Sequence, residues 1–163
     1  MKVIYNAVRP ELISFINFEI DELLKETVWS CGKSLWNKDL TLGIFGTCLT
    51  ASCRLITTQK IKKELSSNLP HDNYTTNYHV WEEMSGINFH SDEKYSFGAT
   101  LYLNDWDINW GGLFIWIDAN KKLHAVCPQK GMLVINDQKE NHMVTSVSPL
   151  APYARRSLQM FGA

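Results

Sequence analysis

The stretch NYHVWEEMSGINFHSDEKYSFGATLYLNDWDINWGGLFIWIDANKKLHAVCPQKGMLVINDQKENHMVTSVSPLAPYARRSLQMFGA, from Asn77 to Ala163, carries the architecture. Short β-rich runs follow one another along it: Tyr78–Glu83, Phe97–Leu103, Leu113–Ile117, Leu123–Cys127, Met132–Ile135, Met143–Val147 and Arg156–Phe161. Turn signals separate them at Ser85-Gly86, Asn104-Asp105, Gly111-Gly112, Ala119-Asn120, Gly131, Asn136-Asp137 and Pro149. β-branched and aromatic residues suit a pleated, half-buried surface, and Gly, Asn and Asp suit the turns between such runs. Many short strands at this spacing predict a sandwich, jelly roll or barrel.

Upstream the pattern is different. From Glu11 to Thr27, Leu12, Phe15, Ile16, Leu23 and Leu24 recur near helical spacing, and Pro10 suits a first turn. A second, shorter helix is expected over Gln59–Leu65, capped by Thr57 or Thr58 and limited by Pro70. Between them Leu40–Arg54, broken by Gly43 and Gly46, reads as strand and turn. The two helices are expected to lie over one sheet and cover its outer apolar face. At 163 residues the chain predicts one domain, with residues 1–76 supporting a β core over 77–163.

Composition excludes several classes. With 45% hydrophobic, 12% aromatic and 20% charged residues the chain is not disordered. No apolar run is long enough for a transmembrane span, so no membrane partner is expected. Val3-Ile4-Tyr5 is too short for the apolar stretch of a signal peptide. Sixteen Lys+Arg against seventeen Asp+Glu leave a net charge of −1 with no basic stripe, which argues against a nucleic-acid partner. Cys31, Cys48, Cys53 and Cys127 have no metal-like spacing and read as reduced packing residues, implying a cytoplasmic protein.

Five histidines are present: His71, His79, His90, His124 and His142. His90 and Asp92 stand as H-S-D at the end of a strand-like run, where residues two apart share a face. His142 opens another run just after the Asn136–Asn141 turn. Two imidazoles and one carboxylate occupy one face of an octahedral ion and leave the other open, an arrangement suited to non-haem Fe(II) oxygenases. The bland alternatives are a hydrogen-bonded strand-end histidine and a solvated turn histidine. His79 with Glu82 and Glu83 forms a rival cluster that lacks a third partner, His124 reads as a packed or edge histidine, and His71 as surface.

The segment W-E-E-M-S-G-I-N-F-H-S-D-E-K-Y-S-F-G-A-T-L-Y-L-N-D-W-D-I-N-W-G-G, Trp81 to Gly112, resembles the Fe(II)/2-oxoglutarate-dependent dioxygenases, and among them the prolyl-hydroxylase-like branch. The resemblance continues in order through Pro128-Gln129-Lys130-Gly131, the apolar Met132–Ile135, the H-x-V-x-x-V of His142–Val147, and the R-x-S of Arg155-Arg156-Ser157. It implies an α+β, mostly β chain: a double-stranded β-helix (a cupin-like jelly roll) with N-terminal helices packed on one sheet. It also implies that residues 77–163 form the catalytic core.

On the same resemblance His90, Asp92 and His142 are the iron ligands, and Arg155, Ser157 and Tyr102 hold 2-oxoglutarate. A guanidinium matches a carboxylate with two parallel bonds. Arg155 and Arg156 alternate faces, and the family register favours Arg155 as the inward one. The implied reaction consumes dioxygen and 2-oxoglutarate, releases succinate and carbon dioxide, and hydroxylates a peptidyl proline, an amino acid or a small metabolite, with ascorbate as an accessory reductant. The carboxylate of Asp92 fills the position a halide would need, which favours hydroxylation over halogenation. Many relatives carry a tyrosine where Val80 or Trp81 stands here, so Trp81 is expected to line the pocket instead. Competing readings are a non-catalytic jelly-roll module that binds a metal or small acid, and an interaction domain using its six tryptophans.

Overall fold

The computed structural model describes all residues from Met1 to Ala163. In chain order the elements are β1 (Lys2–Ile4), α1 (Pro10–Leu23), β2 (Ser30–Cys31), α2 (Gly32–Leu35), β3 (Cys48–Ser52), α3 (Leu55–Leu65), β4 (Tyr74–Trp81), β5 (Ile87–His90), β6 (Gly98–Tyr102), β7 (Phe114–Ile117), β8 (Leu123–Val126), β9 (Leu133–Asn136), β10 (His142–Val144) and β11 (Arg155–Gly162). Short 3₁₀ turns occupy Lys38–Thr41 and Ile108–Trp110. The strands form a seven-stranded sheet, β1-β9-β6-β11-β4-β3-β2, and a four-stranded sheet, β5-β10-β7-β8. Every strand pairing is antiparallel. This is the expected jelly roll.

Two apolar cores sit on opposite faces of the large sheet. On its outer face, Leu12, Ile16, Ile20 and Leu23 of α1 and Ile61 and Leu65 of α3 pack against Tyr78, Leu101, Leu133, Leu158 and Met160. Each such side chain, fully buried, contributes roughly 1.5–3 kcal/mol. Between the sheets, Trp81, Ile87, Tyr102, Phe114, Met132, Val134, Val144 and Val147 form the second core. β11 shows the division within one strand: Leu158 and Met160 face the helices, whereas Arg155 and Ser157 face the space between the sheets. Arg156 is therefore on the helix side, where it reaches Asp21 Oδ1 at 2.6 Å and Asn17.

The helices depart from expectation at their ends. α1 stops at Leu23, short of Thr27, because the chain turns back and Trp29 Nε1 donates to the freed Leu23 carbonyl at 2.8 Å. α3 starts at Leu55 with Arg54 at its N-cap and no side-chain cap, so neither Thr57 nor Thr58 caps it. Thr57 lies inside the helix and donates to the buried carboxylate of Glu19, which also accepts from the Tyr78 hydroxyl. The region 40–54 yields one strand, β3, preceded by a loosely packed crossing segment. β1 was not anticipated; it adds an edge strand to β9, so the first residues of the chain are built into the large sheet. No helix is long and apolar enough to cross a membrane.

Candidate active site

A β-bulge aims the first histidine. His142 pairs with His90 and Val144 with Ile87, so a two-residue step on β10 faces a three-residue step on β5. In a regular strand Ile87 and His90, an odd number of residues apart, would face opposite ways. The extra residue turns both toward the space between the sheets, where they line one cleft. Asp92 lies beyond the end of β5, in the loop leading to β6. It joins His90 through that loop and not through strand alternation, which corrects the sequence-level reason for pairing them. His142 heads β10 as expected.

The three side chains converge. The two imidazole centroids are 4.3 Å apart; Asp92 Oδ2 is 3.5 Å from His142 Nε2, and Asp92 Oδ1 is 4.0 Å from His90 Nε2. One ligand atom from each lies within 4.8 Å of the others, a group able to hold a metal ion. Gly98 makes room for the carboxylate, since a Cβ there would come to 2.9 Å of Asp92 Oδ2. Backbone carbonyls fix both ring tautomers. His90 Nδ1 donates to Asn88 O at 2.8 Å and His142 Nδ1 to Glu140 O at 2.9 Å, which leaves each Nε2 lone pair for a metal. Burial, reinforced by the neighbouring His90, lowers the pKa of His142 and keeps it neutral. Two imidazoles and a carboxylate suit a divalent first-row metal with open positions.

Across the same cleft, which encloses about 290 Å³, stands a cation with no counter-charge. Arg155 is 1% exposed; its Nη1 donates to Gly112 O at 2.7 Å, and its guanidinium lies over the rings of Trp81 and Tyr102 at 4.7 and 5.3 Å. No carboxylate pairs with it, and its Nε has no hydrogen-bond partner. The buried Tyr102 hydroxyl and His79 Nδ1 are also without partners. Burial raises the pKa of Tyr102 against the pull of Arg155. Burial and, secondarily, the charge of Arg155 push His79 down to about 4, so it is neutral. Ser157 Oγ accepts from Trp81 Nε1 at 3.3 Å. Buried donors of this kind, two of them facing no acceptor, fit an anionic ligand such as a carboxylate.

Leu35, Trp36, Asn37 and Leu40, from a strap formed by residues 32–46, line part of the cleft. Trp36 from this strap enters the cleft with its ring centroid 5.9 Å from His79 and 5.8 Å from Trp81. Gly32 allows this, because a Cβ there would meet the Trp36 ring at 2.8 Å. Leu40 of the strap, and Lys94, Tyr95 and Phe161, also line the cleft.

Every site residue expected from sequence lines this one cleft: His90, Asp92, His142, Arg155, Ser157 and Tyr102, with Trp81 beside them. The rival cluster does not form, since His79 is inside whereas Glu82 and Glu83 are exposed. His124 bonds Asp118 Oδ2 at 2.9 Å and stacks on Trp116, and His71 bonds Ser96 Oγ at 2.8 Å. Sequence reasoning set His79 only in the rival cluster and missed Trp36. His79 was within reach, being two residues before Trp81 on one strand and hence on its face; nothing local to Trp36 marks it.

No protein-family model and no curated protein matches the sequence. Solved structures do. A prolyl-4-hydroxylase of Pseudomonas putida is 16% identical with a TM-score of 0.76, covering 99% of this chain and 91% of that one. The viral collagen prolyl hydroxylase of Paramecium Bursaria Chlorella virus-1 is 11% identical with a TM-score of 0.64, covering 98% and 93%. The non-haem α-ketoglutarate-dependent epimerase SnoN from nogalamycin biosynthesis is 10% identical with a TM-score of 0.68, covering 98% and 75%. The chain has the double-stranded β-helix fold of the 2-oxoglutarate–Fe(II) oxygenases, prolyl hydroxylases included.

Proposed function

We propose that this chain is an Fe(II)- and 2-oxoglutarate-dependent dioxygenase that hydroxylates a peptidyl proline, an amino acid or a small metabolite. The reading rests on one observation: a His/Asp/His cluster with both Nε2 lone pairs free shares a cleft with a buried guanidinium that has no counter-charge. His90, Asp92 and His142 hold the iron, and Arg155, with the hydroxyls of Tyr102 and Ser157, takes the distal carboxylate of 2-oxoglutarate. Bound together, iron and 2-oxoglutarate supply dioxygen activation coupled to decarboxylation, giving succinate and carbon dioxide. The protein contributes orientation and dryness. The backbone carbonyls of Asn88 and Glu140 hold the imidazole tautomers, and Trp81 and Trp36 keep water from the ion pair formed at Arg155. Residues 1–163 act as one catalytic domain, and its four free thiols support a reducing, cytoplasmic setting.

The test is anaerobic addition of Fe(II) and 2-oxoglutarate. A visible charge-transfer band is expected, lost in Asp92→Ala; in Arg155→Ala it requires more 2-oxoglutarate while iron uptake is spared. Succinate released in air separates the enzyme from a non-catalytic binding module. A protein that takes up no metal and gives no band is not a dioxygenase.

A further inference from the structure

Side-chain hydrogen bonds from Asn88 join the strap beside the cleft to the bulge that aims His90. Asn88 sits in that bulge, with its backbone carbonyl accepting from His90 Nδ1 at 2.8 Å. Its side-chain nitrogen donates outward to two strap carbonyls, Asp39 O and Leu42 O, both at 3.0 Å. Both partners are acceptors, which fixes the amide orientation. Trp36 and Leu40 pack on the core between the sheets, but from residue 37 to 45 no side chain is fully buried, and Gly43 turns at φ +76°. Within the strap, Lys33 Nζ donates to Ile44 O and Phe45 O at 2.6 and 2.9 Å, and Gly46 N donates to Met84 O at 2.9 Å at its far end. A segment with so little buried surface opens locally at low cost unless it is tied down.

We propose that Asn88 is a positioning residue that couples the seating of the strap to the orientation of the metal-binding His90. One side of the residue sets the ring through its carbonyl; the other holds down the segment that carries Trp36 into the cleft. A substrate that presses on or lifts the strap therefore bears on the metal centre through one residue. The inference rests on the dioxygenase reading and adds to it a route from the mouth of the cleft to the metal.

Asn88→Asp tests it, because the change keeps the shape and the backbone carbonyl and replaces the donor that ties the strap. Two readouts are followed in the full chain: chymotrypsin cleavage at Leu42 and Phe45, and Co(II) titration monitored by its visible d–d absorption. The expected result is faster strap cleavage together with about tenfold weaker Co(II) binding and an altered spectrum, the lower end of what partners of ligating histidines contribute. Lys33→Met, which loosens the strap while leaving Asn88 itself intact, is expected to speed cleavage and to alter the Co(II) spectrum in the same sense, by less than Asn88→Asp does. Faster cleavage with an unchanged metal spectrum, in either variant, overturns the coupling. If the unsubstituted protein binds no Co(II), the dioxygenase reading itself has failed, whereas normal binding there and no difference in the variant isolates the failure to Asn88.

Discussion

Arg155 is a costly side chain to bury. A guanidinium removed from water without a carboxylate is a burden that proteins ordinarily avoid, and here only Gly112 O and two ring faces compensate it. Burial accordingly lowers its pKa. Arg155→Met, which keeps length and apolar contact, is therefore expected to leave the protein without 2-oxoglutarate as stable as before or more so. It should also abolish stabilisation by the ligand. At a 2-oxoglutarate concentration near a hundred times its Kd, the unsubstituted protein with metal should gain about 2.7 kcal/mol, or roughly 5–10 °C in Tm, and the variant nothing. Thermal unfolding with and without 2-oxoglutarate checks both halves, and a variant that unfolds several degrees earlier without ligand would show that Arg155 serves the fold. The sequence offered Arg155 and Arg156 equally on alternation alone. What separates them is the register of β11, in which Arg156 shares the helix-facing side with Leu158 and Met160.

The large sheet insulates the cleft from the helices. Ile16 of α1 is fully buried among outer-face residues, whereas the cleft opens on the inner face. Ile16→Ala is expected to cost about 3 kcal/mol and lower Tm by roughly 6–12 °C while leaving metal affinity unchanged within twofold. A metal titration of the variant that shifts tenfold would mean that the two cores are not independent. This layering was legible in the sequence, because helical and two-residue periodicities each report the face an element buries, as Leu12 to Leu23 and Leu158 to Met160 did, although Leu24, read with them, is exposed. The bulge was not. Ile87 and His90 violate strand alternation, and only the pairing with β10 reveals that an inserted residue reconciles them. The strap escaped for a related reason: Trp36 is placed by the small size of Gly32 and by ring contacts with His79 and Trp81, all tertiary. Asp92 was paired with His90 by a strand argument, yet a loop and the bare Cα of Gly98 bring it there.

For the molecule as a whole, the same burial that keeps the cleft dry makes the fold sensitive to acid. His79 is held neutral by burial and by the charge of Arg155, with its pKa pushed from 6.5 to about 4. A histidine whose folded pKa lies below its unfolded value costs nothing above about pH 6.5. Below that, the unfolded chain takes up a proton that the folded one refuses, so stability falls as pH drops toward 4. The loss between pH 7 and pH 5 comes to about 2 kcal/mol for His79 alone, or roughly 4–8 °C in Tm. His142 is shifted in the same direction and deepens the slope in the metal-free protein. The groups facing His79 do not cancel it: Arg155 opposes protonation, and Trp36, Trp81 and Ser157 carry no charge. The check is Tm of the metal-free protein at pH 7, 6 and 5 beside His79→Gln, which should lose the larger part of the slope and retain the share due to His142. A bound metal should steepen the loss, since it bars the proton from the same Nε2 in the folded state and is itself released as pH falls. A slope equal in both proteins would place the acid sensitivity elsewhere and leave His79 an ordinary solvated imidazole.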